Sequence, residues 1–144
     1  MSEDDVRMAI QRPWVSFVTD NPGQAIDGPF AHDLAHPRAF GAMPRVLGRY
    51  VREEKLLTVE EAVRKMTSLA ARRVRLFDRG ILRPGMAADL VVFDPDRVRD
   101  LATFEAPLRN AEGISHVVVN GKLVLDEGAM TSERPGRPLR PSRP

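Results

Sequence analysis

The stretch WVSFVTDNPGQ, Trp14 to Gln24, decides how the rest of the chain is read. Its first six residues, Trp14 to Thr19, are apolar or β-favouring and show no strict polar alternation. That pattern predicts a strand covered on both faces, as in a parallel sheet. The run ends abruptly on Thr19-Asp20, and Asn21-Pro22-Gly23 opens a turn. By residue type alone, Asp20 reads as the start of an Asx-type turn before Pro22-Gly23.

Working outward, Ser2 stands three residues before Asp5, close to a capping box. A short helix over 3–11 follows, and Pro13 stops it. Downstream, residues 20–37 form a long polar loop with Pro22, Gly23, Gly28, Pro29 and Pro37. A loop of that length without its own structure is often functional. MPRVLGRYVREE predicts a helix over 43–54, with Val46, Leu47, Tyr50 and Val51 on one face. TVEEAVRKMTSLAARRVRL is the clearest helix: Thr58 caps it and Glu61 closes the box. Its buried stripe is Val59, Ala62, Val63, Met66 and Leu69.

Beyond residue 79 the pattern changes. Gly80, Pro84 and Gly85 punctuate a turn, with Asp89 placed to hydrogen-bond backbone, and Leu90 to Phe93 is a short strand ended by Asp94-Pro95. In ISHVVVNGKLVLDEG two apolar runs flank Asn120-Gly121, the pair that supplies the positive φ values of a type I′ hairpin turn. From Arg134, proline recurs every third residue in RPGRPLRPSRP, the repeat of a polyproline II helix. The expected organisation is βα architecture over 1–78, a small β segment with a hairpin over 79–130, and a Pro/Arg-rich tail over 131–144.

The bulk numbers narrow the class. A chain of 144 residues is one ordinary domain with a core of useful size. With no cysteine, neither a disulfide framework nor a thiolate metal site exists, which fits a cytoplasmic protein. The acidic start, MSEDDVRMAI, is no secretory signal, and no run approaches the ~20 apolar residues of a membrane span. The net charge is +2. It comes from Arg134, Arg137, Arg140 and Arg143 in the tail, and the body is slightly acidic. That distribution, without interleaved aromatics, speaks against a nucleic-acid partner.

Two motifs together carry a family resemblance. HPRAFGAMPRVLGRYV…MTSLAARR and GILRPGMAADLVVFD resemble the C-terminal third of the N-acyl-D-amino-acid deacylases, or D-aminoacylases, of the metal-dependent amidohydrolase superfamily. The second motif is general to the superfamily and the first is more specific to the deacylases. The similarity runs from about Ser2 to about Arg140. It implies an α/β fold: the last strand and helices of a TIM-like (β/α)8 barrel, plus strands of a small β-sandwich domain. Barrel active sites lie at the C-terminal ends of the strands, so Asp20 would sit at the mouth, touching the metal and the attacking water.

The resemblance implies zinc and an N-acyl amino acid substrate. Zinc lowers the pKa of bound water to ~7. Asp20 would be both metal ligand and general base, returning the proton to the departing amine. Arg38, in His36-Pro37-Arg38, is expected to fork onto the substrate carboxylate, with His36 beside it. The bland alternative for Arg38 is a solvated arginine pairing with Asp33 or water. His32 and His36 read more simply as polar loop residues than as metal ligands, and His116 as structural.

The departure from the family is large. There is no His-x-His pair, and three histidines cannot supply the usual ligand set. A barrel takes ~250 residues. The expectation is a C-terminal piece, inactive alone, arising from a late start, a split gene or deliberate truncation. The missing barrel segment or self-association would cover its exposed strand edge. The competing reading is a non-catalytic interaction module, its Pro-x-x-Pro tail bound in an SH3-like groove.

Overall fold

The computed structural model describes residues 2–23, 25–27, 29, 31 and 35–141. Gly28, His32 and Asp33 lie outside the described residues. A group of helices comes first in the chain and an antiparallel sheet follows.

Helix α1 spans Glu3–Gln11 and opens on the expected capping box. The Asp5 N–H donates to Ser2 Oγ at 3.2 Å, and the Ser2 N–H donates to Asp5 Oδ2 at 3.0 Å. Helix α2 spans Arg38–Arg45 and runs on into a π-helical segment, Val46–Glu53. The helix therefore begins five residues before the expected boundary at 43. Pro44 lies inside the helix, buried. Its missing N–H removes one i→i−4 hydrogen bond and its ring crowds the preceding turn, and the π-helical ladder begins two residues later, at Val46. By the end of the segment the Glu54 N–H reaches the Arg49 carbonyl at 2.8 Å, an i→i+5 bond. Lys55, with φ of 52°, stops it.

The segment expected as one long helix is two, α3 (Val59–Met66) and α4 (Ser68–Arg73). Thr58 Oγ1 caps α3 by accepting the Glu61 N–H at 3.2 Å. Glu61 does not close the box, because Arg64 holds its carboxylate at 2.7 and 2.8 Å. The break falls at Thr67, whose hydroxyl donates to the Val63 carbonyl at 2.6 Å. Ile10, Val46, Tyr50, Val51 and Ala62 form the core, with Phe17, Leu47, Val59 and Met66 packed around it. Lys65 is fully buried among them. Burial pushes its ammonium below the usual lysine range.

The sheet has the order β1 (Leu90–Phe93), β2 (Ile114–Val119), β3 (Lys122–Asp126), β4 (Ala129–Met130), all antiparallel. Asn120 (φ 46°) and Gly121 (φ 78°) make the expected turn between β2 and β3. Strand β4 was not anticipated. It follows a second two-residue turn, Glu127 (φ 47°) and Gly128 (φ 83°). Asp89 accepts the Asn120 N–H at 2.7 Å and pairs with Arg79, so it braces the turn. Asn120 Nδ2 donates to the Pro135 carbonyl at 2.9 Å, which ties the root of the tail to the same turn.

The π-helical segment joins helices to sheet. A Cβ on Gly48 would lie 2.7 Å from the Val98 carbonyl, so only glycine allows this approach. Arg52 Nη1 donates to that same carbonyl at 2.7 Å, and Arg45 pairs with Asp100 at 3.0 Å.

Trp14–Thr19, expected as a barrel strand, forms no strand among the described residues: Trp14 closes a turn and 15–19 carry no regular structure. A β-strand needs neighbours to complete its hydrogen bonds, and the sheet among the described residues is built from 90–130. Trp14 and Val18 are accordingly 63% and 75% exposed.

Candidate functional site

Asp20 ends this stretch in a left-handed conformation, φ 47°, before Asn21-Pro22. Its side chain is 79% exposed. One guanidinium, that of Arg38 in the first turn of α2, holds it. Arg38 Nη2 lies 3.1 Å from Asp20 Oδ2. The same side chain donates to the Asp20 carbonyl through Nε at 3.2 Å and Nη2 at 3.0 Å.

His36 stands beside this pair. Its Nδ1 accepts the Arg38 backbone N–H at 3.0 Å, so Nδ1 carries no proton in that contact. The ring meets Phe104 edge-on, centroids 5.0 Å apart. Phe104 also lines an open pocket of about 380 Å³, walled by Ala31, Ala35, Ala106, Pro107 and Leu108. The three residues singled out from the sequence, Asp20, His36 and Arg38, are thus brought together, although 16 or 18 positions separate Asp20 from the other two. Phe104 had no sequence signal. Lys65 had one in hindsight, a lysine falling between Ala62 and Leu69 on the apolar stripe.

The chemical capacity of the cluster is an accessible carboxylate, a guanidinium already forked onto oxygen atoms, and an imidazole whose remaining ring nitrogen is Nε2. A zinc site needs at least three protein ligands plus water. Among the described residues no three His, Cys, Asp or Glu side chains converge on one point, and the Asp20 carboxylate has a cation, not an open coordination position, at 3.1 Å. These residues do not by themselves hold a metal. His116 lies elsewhere, with Nε2 3.2 Å from Asp126 Oδ1 across the hairpin. No described helix is long and apolar enough to cross a membrane.

The sequence profile of the amidohydrolase family matches residues 5–125. The chain belongs to the amidohydrolase family. An N-acyl-D-glutamate deacylase of Alcaligenes xylosoxydans xylosoxydans is 57% identical over 105 residues, 73% of this chain and 21% of that protein. A D-aminoacylase structure with a binuclear metal centre superposes with a TM-score of 0.81 at 41% identity, covering 92% of this chain and 27% of that one. A zinc-bound N-acyl-D-glutamate deacylase from Bordetella bronchiseptica, holding a phosphonate mimic of the tetrahedral intermediate, gives a TM-score of 0.76 at 45% identity. It covers 86% of this chain and 25% of that chain. This amidohydrolase chain therefore spans about a fifth of the length of the curated relative, and its fold matches the corresponding section of a D-aminoacylase.

Proposed function

We propose that this chain supplies one section of a metal-dependent amidohydrolase that hydrolyses the amide bond of N-acyl-D-amino acids. It acts with polypeptide that carries the metal ligands and is inactive alone. Asp20 is the proton-transfer group. Its carboxylate takes a proton from the attacking water as the new C–O bond forms, and gives it to nitrogen as the C–N bond breaks. An amine is a poor leaving group until protonated, so one carboxylate serves both steps. Arg38 forks onto the carboxylate of the substrate, and His36 lies alongside through Nε2.

The observation that carries this reading is the grip of Arg38 on both oxygen centres of Asp20. That contact sets a guanidinium directly beside the proposed proton-transfer carboxylate. The similarity to deacylases of N-acyl-D-glutamate supports the substrate class.

The test is complementation. The chain is mixed with a D-aminoacylase segment carrying the His-x-His strand and the remaining ligands, zinc is added, and release of D-glutamate from N-acetyl-D-glutamate is measured. The chain alone should release none and the mixture should be active. An active mixture that works equally well with Asp20→Asn would overturn the assignment.

A further inference from the structure

The stretch that delivers Asp20 lacks a strand partner among the described residues, yet its root is held. Four carbonyls in the five residues from Ile10 to Trp14 are each taken by a cation from α3 or α4. Lys65 Nζ donates to the carbonyl of Ile10 and, at 2.5 Å, to that of Arg12. Arg64 Nη2 donates to the Pro13 carbonyl at 2.7 Å, and Arg73 Nη2 to the Trp14 carbonyl at 3.4 Å.

We infer that Lys65, with Arg64 and Arg73, is a positioning clamp that sets the direction of residues 14–20 and so the location of Asp20. Its catalytic meaning rests on the function proposed above.

Three features make the clamp more than a helix cap. First, Lys65 is fully buried with carbonyl partners, and among the described residues no carboxylate forms a salt bridge with its ammonium. A buried charge is tolerated only when hydrogen-bonded, so the two carbonyls must stay where they are. Second, Lys65 Nζ lies 5.9 Å from the centroid of the Phe17 ring, which reaches the middle of the stretch. Third, burial alternates along the stretch. Val15, Phe17 and Thr19 turn inward, while Trp14, Ser16, Val18 and Asp20 are exposed. A shift of one residue at the root would reverse that order and turn Asp20 away from Arg38.

The chain has no cysteine, so two introduced cysteines can be spin-labelled uniquely. Labels at Val18→Cys and Glu60→Cys, both exposed positions, report the distance from the stretch to α3 by double electron–electron resonance in the full chain. The parent should give one narrow distribution. Arg64→Met with Arg73→Met should broaden it while the helical circular dichroism is kept, and Lys65→Met should broaden it further. An unchanged distribution in the double arginine variant overturns the clamp. Should Lys65→Met lose its helical signal, that double variant decides alone. In the complemented enzyme the clamp variants should lose kcat at least tenfold with KM unchanged, because Arg38 sits on α2, outside the clamp. Broadened distances with parental kcat would overturn the positioning role. An inactive parent with the distance result intact would instead defeat the deacylase reading and leave the structural clamp standing.

Discussion

Two stretches with the composition of β-strands, WVSFVT and ISHVVVNGKLVLD, fare differently: among the described residues the second forms strands and the first does not. ISHVVVNGKLVLD closes on itself: β2 and β3 are joined by a two-residue turn, and each supplies the other's hydrogen bonds. WVSFVT has equally apolar and β-branched residues, yet no described segment pairs with it. The contrast teaches that strand composition states a capacity, while strand formation needs a partner. The hairpin carries its partner within eight residues, from Val119↔Lys122 to Val117↔Leu125. The upstream stretch must be held by other means, and its far end is free to present Asp20.

If that division is right, the two regions separate activity from stability. Asp20→Asn should have the largest effect on the complemented enzyme, a loss of about 10²–10⁴-fold in kcat, the usual contribution of a general acid–base group. The stability of the chain itself should change by less than ~1 kcal/mol, since the Asp20–Arg38 pair is solvent-exposed. Urea unfolding and turnover measured on the same variant check both halves. A large stability loss would mean that the carboxylate holds the fold rather than serves the chemistry.

The converse substitution lies next to the hairpin. Gly113, just before β2, has φ of 80°, and a Cβ there would fall 2.5 Å from the Val98 backbone nitrogen. Gly113→Ala should destabilise by about 3 kcal/mol, from the clash and the left-handed backbone together. Gly121, in the turn, has nearly the same φ, 78°, but nothing within 4 Å of the added Cβ. Gly121→Ala should therefore cost only about 1 kcal/mol. Thermal unfolding of the two variants side by side isolates the steric part. Equal losses would show that backbone conformation, not the approach of residues 97 and 98, sets the cost.

The same contrast explains what the sequence disclosed. Features whose partners lie within a few residues were legible: the Ser2–Asp5 box, the Thr58 cap and the Asn120-Gly121 turn. Asp89 was legible only in part: a backbone-bonding carboxylate was expected at its own turn, but it accepts from the Asn120 N–H, 31 residues away. Features that depend on distant partners were not. Trp14–Thr19 was read as a strand because composition carries no record of whether a neighbour exists. The helix expected over 43–54 starts earlier, at Arg38, and the burial that carries it through Pro44 comes from Val46, Tyr50 and Val51 packing with Ile10 and Ala62. Lys65 was assigned to no stripe because its ammonium is satisfied only by carbonyls 53 and 55 residues away. For the site, resemblance pointed to Asp20 and Arg38. No spacing rule predicts that residues 20 and 38 meet. The Glu127-Gly128 turn was present in the sequence and went unread, although it follows the same φ logic as Asn120-Gly121.

The smallest effect concerns the helices that carry the upstream stretch. Glu54 accepts from Arg7 Nε at 2.8 Å and from Arg49 Nε at 2.8 Å, so it links α1 to the π-helical segment. These two guanidinium groups hold its carboxyl down to about 2, from the ordinary 4.5. Because the folded value lies below the unfolded one, the ionised group stabilises the fold fully above about 4.5. That contribution fades as pH falls from there toward about 2, where the folded carboxyl itself protonates. The side chain keeps 22% of its surface in water, which limits the size of the effect. Glu54→Gln should lower the unfolding temperature at pH 7, and the gap from the parent should close by pH 2. The single tryptophan, Trp14, reports the upstream region by fluorescence, so the gap should be visible in that signal. A gap that persists unchanged at pH 2 would mean that Glu54 acts through packing rather than through its charge, and the upstream region would then owe less to its arginines than the geometry implies.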